Sequence, residues 1–263
     1  MNRTAVVGTT VAAVLAVGVL AALYMVAAPH RGVADESAAV PVVNRRVPDD
    51  RTVGHRLEGP APVTWVFVGD SITHGSTHTN GRRSFVEHFA ERTRAELGRI
   101  DDVVINTGVS GDRTEDVLAG FADRVGRFDP EVVVVMLGTN DSVDGPSGRA
   151  GFAHRLAEIV TRVRGLGAIP VLQTPNPVDE AAAPERDDLP AYVDVVRRLA
   201  RERDVMLVDH HARWLDAGGG TAPSRWLDDP IHPNGRGHLE MARTIFRRLG
   251  IFDPDSPTGG ADW

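Results

Sequence analysis

The sequence predicts an α/β domain of three layers, with helices on both faces of a five-stranded parallel sheet. Five short apolar runs alternate along the chain with longer segments that have a helical period. Most of the runs are apolar at every position, which is typical of strands buried on both faces, and parallel strands need a crossover, usually a helix, between them. The predicted strands are residues 63–68, 103–106, 132–137, 169–172 and 205–208. The predicted helices are residues 85–97, 115–128, 152–166, 192–203 and 238–249.

Two segments precede this domain. Residues 5–28 carry no charged side chain, and as one hydrophobic helix they would extend about 36 Å, enough to cross the hydrocarbon core of a membrane. We predict an N-terminal membrane anchor in preference to a cleaved export signal, because the best cleavage site is followed directly by Pro29. Residues 29–62 contain five prolines and no sustained period, so they are predicted to form a tether.

The remaining boundaries and the location follow from this division. The folded domain is predicted to cover residues 63–252, and residues 253–263 to form a disordered tail, because they are rich in turn-forming residues and poor in apolar ones. An anchor predicts a cell-membrane protein with an outward-facing domain, whereas a cleaved segment predicts a secreted one. Arginines on both sides of the apolar segment leave its orientation open.

The composition excludes several chemistries. The chain contains no cysteine, and all 29 of its basic residues other than histidine are arginine. It therefore has no lysine for a Schiff base or a Walker-A loop, and no thiol for catalysis, cysteine-ligated zinc or disulfides. The net charge of -7 gives no basic footprint for nucleic acid.

Candidate catalytic residues lie after the first predicted strand and before the last predicted helix. Ser71 follows the first strand, and Asp229 and His232 share a short turn. Ligands of parallel sheets bind beyond the carboxyl ends of the strands, where such residues meet. A serine hydroxyl is a weak nucleophile that needs an imidazole base, itself oriented by a carboxylate. These residues predict a serine esterase with Ser71 as nucleophile, His232 as base and Asp229 as orienter.

Three donors are available for the oxyanion that forms when a serine attacks an ester. They are the backbone amides of Ser71 and Gly111 and the side-chain NH₂ of Asn140, and Gly111 and Asn140 follow the second and third predicted strands. Loss of one such donor typically lowers turnover by about 10² to 10³. The sequence therefore predicts an oxyanion hole formed by Ser71, Gly111 and Asn140.

Four sequence blocks at these positions resemble those of one enzyme family. GDSIT, NTGVSGD, GTND and DPIH stand in the order found in the SGNH, or GDSL-type, hydrolases, and the resemblance covers residues 63–249. It implies the flavodoxin-like form of the predicted fold, the same five site residues in the same roles, and a reaction without metal or cofactor. Members of this family act on esters that range from acetylated sugars to lipids and thioesters.

Three other residues stand in patterns that could carry chemistry. Ser110 nearly completes a G-x-S-x-G motif, but Asp112 replaces the last glycine, so Ser110 is interpreted as a loop residue. His74 and His78 have the spacing of a helical metal pair, but the glycine-containing segment between them predicts a loop and a solvated or substrate-facing role.

Three alternative functions remain open at this point. An acyltransferase would use the same residues. A metallophosphoesterase would instead use the aspartates and asparagine of the GD and GTND segments as metal ligands, and a non-catalytic surface module would only bind a polymer in the cleft.

The substrate is predicted less closely than the reaction. The connection over residues 174–190 contains no run of large apolar residues that would make a lipase-like lid. We therefore expect a small-molecule or glycan ester with a short acyl chain. The acidic 174–190 connection and Trp226 are expected to shape the alcohol side.

Overall fold

The computed structural model describes residues 49–75 and 77–260, and it contains the predicted five-stranded parallel sheet. The strands are β1 (Thr64–Gly69), β2 (Val103–Asn106), β3 (Val132–Met136), β4 (Ile169–Gln173) and β5 (Met206–Val208). They lie in the spatial order β2-β1-β3-β4-β5, and every neighbouring pair is parallel. The prediction of the sheet is confirmed.

Helices cover both faces of the sheet, which confirms the three-layer architecture. Successive residues of β1 point to opposite faces. The α-helices of the described residues are α1 (Asp49–Glu58), α2 (Ser71–His74), α3 (Phe85–Ala90), α4 (Thr114–Ala119), α5 (Phe121–Arg124), α6 (Gly145–Gly165), α7 (Leu189–Glu202), α8 (His210–Ala217), α9 (Gly235–Leu249) and α10 (Pro257–Gly260). Trp65 and Phe67 pack in one core cluster with residues of α1, α3 and α9, and Val66 and Val68 pack in the other with residues of α4, α5, α6 and α7.

The strand order fixes where a ligand can bind. The chain leaves β1 to form β2 on one side of it and later returns to form β3 on its other side. At such a switch point the connections after the two central strands diverge, and a crevice opens beyond their carboxyl ends. The crevice of this protein therefore lies beyond the ends of β1 and β3.

Part of the predicted tether is a packed helix. Helix α1 lies within residues 29–62, and it buries Val53 completely and packs Leu57 against the core. These two residues are four apart, so they share one face of the helix. Arg99 then fixes the chain that follows α1, because its guanidinium donates to the carbonyls of Leu57, Gly59 and Ala61.

The C-terminal residues also differ from the expectation of a disordered tail. Residues 253–260 are ordered, and α10 buries Thr258. The amide and hydroxyl of Thr258 each donate to the carboxylate of Glu96 at 2.8 Å, and Ser256 closes a turn on the carbonyl of Asp253. Side-chain hydrogen bonds order this segment, and a prediction from apolar content alone does not detect them.

The predicted membrane segment at residues 5–28 and the tether up to residue 48 lie outside the described residues. Within residues 49–75 and 77–260, no helix combines the length and the apolar character that crossing a membrane requires. The anchor and the location of the protein stay predictions.

A buried histidine makes the stability of the fold depend on pH. His210 is fully buried against Phe85, and neither of its ring nitrogens has a hydrogen-bond partner. Burial lowers its pKa from 6.5 to about 3. The fold thus holds the imidazole neutral, whereas the unfolded chain takes up a proton below pH 6.5. The contribution of the neutral His210 to the free energy of unfolding is fully present above pH 6.5, and it is lost as the pH falls towards 3.

We expect His210→Leu to reduce this loss. Between pH 7.5 and 5 the free energy of unfolding should fall by about 2 kcal/mol less in the variant than in the wild type. Urea denaturation at the two pH values measures the difference. His154→Gln, at an exposed position of α6, serves as the control and should behave as the wild type. An equal fall in His210→Leu and the wild type would contradict the assignment.

Candidate active site

The end of β1 presents Ser71 at the start of a new helix. Gly69 closes the strand, Asp70 caps α2 by accepting a hydrogen bond from the amide of Ile72, and Ser71 is the first helical residue. A side chain at position 69 could not be accommodated, because its Cβ would lie 2.5 Å from the carbonyl oxygen of Met136. The glycine allows the tight turn that places Ser71 at the edge of the crevice.

Three side chains form a continuous hydrogen-bond series at this edge. The hydroxyl oxygen of Ser71 lies 2.9 Å from Nε2 of His232, and Nδ1 of the same ring lies 2.7 Å from Oδ2 of Asp229. All three residues are partly exposed, so a substrate can reach them. The structure thus brings the predicted nucleophile, base and orienter together in the order that the predicted reaction requires.

The turn that carries Asp229 and His232 is held in shape by its own backbone. Oδ1 of Asp229 accepts the amides of Ile231 and His232 at 2.8 and 2.6 Å. Burial alone would raise the pKa of Asp229, but these hydrogen bonds and the imidazole lower it below its usual range. The carboxylate therefore stays ionised beside the ring. At the end of the turn, the side chain of Asn234 bonds the carbonyl of Leu227 and caps α9.

The loop after β2 brings Gly111 to the same crevice. The amide of Val109 donates to the carbonyl of Gly69 at 3.0 Å, which ties the loop to the turn before Ser71. Gly111 has a φ of 88°, a conformation that favours glycine. Ser110 faces His74 at 3.5 Å, consistent with its interpretation as a loop residue.

Asn140 adjoins this loop from the end of β3. Its side-chain NH₂ donates one hydrogen bond to the carbonyl of Asp112 at 3.0 Å, and its oxygen lies 3.4 Å from the guanidinium of Arg186. An amide nitrogen has two hydrogens, so one remains for a ligand. Gly111 and Asn140 therefore belong to one cluster of donors beyond the switch point, next to the turn that holds Ser71.

Two arginines that support these donors were missed by the sequence reasoning. Arg124 of α5 pairs with the carboxylate of Asp112 and donates to the carbonyls of Gly69 and Thr107, so it joins the loop of Gly111 to the ends of β1 and β2. Arg186 reaches Asn140 from a connection 46 residues away. Neither arginine stands in a recognisable motif, and their contacts depend on the tertiary fold.

His78 and its hydrogen-bond partners lie directly beside the turn that carries Asp229 and His232, which we call the catalytic turn. The His78 ring stacks on the His232 ring, with centroids 3.9 Å apart and planes inclined by 5°. Nδ1 of His78 lies 2.9 Å from Oδ2 of Asp228, whose other oxygen accepts a hydrogen bond from Asn80. His78 thus lies beside His232, whereas the sequence favoured a solvated or substrate-facing role for it.

One expectation about the substrate side is wrong. Trp226 was expected to shape the alcohol side, but its side chain is buried and packs edge to face on Trp214, with ring centroids 5.1 Å apart. The apolar surface of an indole is stabilised by burial, and Trp214 supplies its partner in the core.

The aspartates that suggested a metallophosphoesterase have structural partners. Asp70 is buried at the cap of α2, and its burial raises its pKa to about 7. Asp141 is also buried, and it accepts the hydroxyl of Thr114 at 2.6 Å. The two carboxylates stabilise the segments that follow β1 and β3. Because both are buried and already hydrogen-bonded, they do not form an open set of metal ligands.

The fold and the site together define a doubly wound, three-layer α/β domain that carries a candidate serine hydrolase site. The family model described as the GDSL-like lipase/acylhydrolase family matches residues 67–239. The chain belongs to this family, as the sequence motifs predicted, and it is a carboxylic ester hydrolase.

The relatives of this chain include an esterase. An acetylxylan esterase from Geobacillus stearothermophilus is 27% identical over 204 residues, which cover 71% of this chain and 93% of that protein. The uncharacterized lipoprotein YqeF of Bacillus subtilis (strain 168) is 29% identical over 217 residues, which cover 72% and 87%. The crystal structure of an acetylxylan esterase from Geobacillus stearothermophilus shares the fold, with a TM-score of 0.61 at 24% identity over 72% of this chain and 94% of that chain.

Proposed function

We propose that the protein is a serine esterase that removes short acyl groups, acetyl to butyryl, from a polar alcohol such as a sugar. The observation that carries the proposal is the hydrogen-bond series from Ser71 through His232 to Asp229 at the carboxyl edge of the sheet. The acetylxylan esterase among the relatives supports an acetylated glycan as the substrate class.

The reaction follows from the atoms in the series. The hydroxyl oxygen of Ser71 attacks the ester carbonyl while its proton passes to Nε2 of His232, and Asp229 stabilises the resulting imidazolium. The tetrahedral oxyanion is stabilised by the amides of Ser71 and Gly111 and the second N–H of Asn140. His232 then returns the proton to the leaving alcohol. Water, activated by the same imidazole, hydrolyses the acyl-enzyme and releases the acid.

The short acyl preference is supported by the few large apolar side chains that are exposed in the segments next to the proposed oxyanion donors. Within the 174–190 connection, Val178, Ala183 and Leu189 are buried in a small cluster with Val193, so they are not available to a long chain. Val109 is two residues from Gly111 and Val143 is three residues from Asn140, and both valines are exposed. Two valines suit an acyl group of a few carbons.

The 174–190 connection is proposed to adjoin the alcohol part of the substrate. The amide of Asp179 donates to the carbonyl of Pro230 at 2.8 Å, which attaches the 174–190 connection to the catalytic turn. The same connection lines a cavity of about 550 Å³, together with α8 and residues 220–224, and the lining includes Glu180, His211 and Ser224 beside apolar residues such as Pro190 and Leu215. Hydrogen-bonding groups of this kind suit an alcohol that carries several hydroxyls.

A series of p-nitrophenyl esters from two to sixteen carbons tests the acyl preference. We expect kcat/KM to be greatest between two and four carbons and to fall steadily with longer chains, because these extend beyond the apolar surface. A maximum beyond eight carbons would contradict the proposal. The same assay with an added sugar acceptor separates hydrolysis from acyl transfer. Transfer would place the acyl group on the sugar as a new ester, so less free acid would be released.

A further inference from the structure

One face of the catalytic imidazole is covered by a second histidine. His78 follows α2 in the chain, and its ring lies parallel to that of His232, with centroids 3.9 Å apart and planes inclined by 5°. At this separation the two rings are in van der Waals contact across their faces. Both side chains stay partly exposed, so the stack leaves the edges of the His232 ring open to a substrate. His78 therefore blocks movement of that ring towards one side only.

The ring of His78 is itself held in one orientation. Its Nδ1 lies 2.9 Å from Oδ2 of Asp228 and 3.7 Å from Oδ2 of Asp229, so the ring proton stands on Nδ1, where carboxylate oxygens accept it. The other oxygen of Asp228 accepts a hydrogen bond from the side chain of Asn80 at 2.9 Å. The hydrogen bonds from His78 and Asn80 lower the pKa of Asp228, which keeps this carboxylate ionised.

Asp228 joins this support to the catalytic turn. Its backbone amide donates to the carbonyl of His232 at 2.9 Å, beside the antiparallel bridge between Leu227 and Pro233. Asp228 thus contacts both histidines, one through its carboxylate and the other through its backbone. The stacked pair consequently has a common anchor, and the two rings keep their relative position.

The proposed reaction requires more of His232 than its own hydrogen bonds supply. In the resting site the ring is fixed from both ends, by Ser71 at Nε2 and by Asp229 at Nδ1. Once Ser71 carries the acyl group, its oxygen has no proton to donate, and only the bond to Asp229 remains. The torsion that turns an imidazole about its Cβ–Cγ bond has a broad range. A flat surface against one face narrows that range while Nε2 activates water.

We propose that His78 is a positioning residue for the catalytic base. Together with Asp228 it holds the His232 ring in the plane in which Nδ1 faces Asp229 and Nε2 faces the reacting atoms. This role rests on the function proposed above, because it concerns the same imidazole. His78 takes no part in the proton transfers, so its loss should lower kcat and leave KM nearly unchanged.

Steady-state hydrolysis of p-nitrophenyl acetate by two His78 variants tests the proposal. In His78→Ala, which removes the flat surface, we expect kcat to fall by about 10- to 100-fold, with KM within about twofold of the wild type. His78→Phe retains a flat ring, and its kcat should exceed that of His78→Ala by at least about fivefold. His154→Ala, at an exposed position of α6, is the control and should behave as the wild type.

A double-mutant cycle tests whether Asp228 acts through His78. Asp228→Ala releases Nδ1 of His78 from its partner, so it should also lower kcat. The double variant should be no slower than His78→Ala, because the ring that Asp228 orients is then already absent. Losses that add up in the double variant would show two independent effects and would overturn the shared support.

The ring-proton NMR signals of His232 test the geometry without any turnover. A proton over the face of an aromatic ring is shifted upfield by the ring current, so these signals should move downfield in His78→Ala. Their disappearance in His232→Ala identifies them. Unchanged signals in His78→Ala, an unchanged kcat, or a kcat of His78→Phe no higher than that of His78→Ala would each overturn the proposal. A wild type that hydrolyses no ester would instead refute the proposed function, and the role of His78 with it.

Discussion

Ser71→Ala is expected to lower kcat by about 10⁴-fold or more, the scale at which loss of a serine nucleophile acts in other hydrolases. The hydroxyl of Ser71 lies 2.9 Å from Nε2 of His232, and alanine leaves the imidazole without the group that it deprotonates. The substitution removes one oxygen at a partly exposed position, so the fold should persist. Steady-state hydrolysis of p-nitrophenyl acetate measures the loss, and circular dichroism measures the fold.

Ser110→Ala is the matched control for this prediction. Ser110 lies in the loop that leads to Gly111 and stands in the incomplete G-x-S-x-G pattern, but its hydroxyl faces His74. We expect its activity to remain within a few-fold of the wild type. Near-complete loss in Ser110→Ala with retention in Ser71→Ala would exchange the two assignments.

Asp229→Asn is expected to lower kcat by up to about 10⁴-fold, with a smaller change in KM. The carboxylate accepts three hydrogen bonds, from the amides of Ile231 and His232 and from Nδ1 of the imidazole. An asparagine has one acceptor oxygen, so its NH₂ must face either the backbone amides or the ring. In the second case the ring proton moves to Nε2, and His232 can no longer accept the proton of Ser71.

Two results separate this effect from general damage to the protein. Asp216→Asn, which changes an exposed carboxylate of α8, should leave kcat within a few-fold of the wild type. Denaturation of Asp229→Asn should show a folded protein. Retention of wild-type kcat in Asp229→Asn would mean that the imidazole is oriented by another group.

The sheet was predictable because burial on both faces leaves a plain signal. Every residue of β3 and β4 and five of the six residues of β1 are buried, and the observed bounds differ from the predicted ones by at most one residue at each end. Helix α2 was not predictable, because its four residues have no period to detect and form only where Asp70 caps them. Helix α1 contains Val53 and Leu57 among charged residues, a signal too weak to separate it from a tether.

The candidate site shows the same division between local and tertiary signals. Ser71, Gly111, Asn140, Asp229 and His232 stand in four short blocks that are weak signals singly and could be recognised by their order along the chain. The contacts that complete the site join distant positions, such as His78 to Asp228 across 150 residues and Asn140 to Asp112 across 28. Only the arrangement of the strands brings these pairs together. The sequence alone therefore predicts the reaction but not the contacts that support the site.

Covalent labelling with a fluorophosphonate probe tests the central claim most directly, because the probe reacts only with an activated serine hydroxyl. The wild type should gain the mass of one probe, peptide mapping should place it on Ser71, and Ser71→Ala should gain none. A wild type that gains no mass, or a label that persists in Ser71→Ala, would contradict the assignment of Ser71 as the nucleophile.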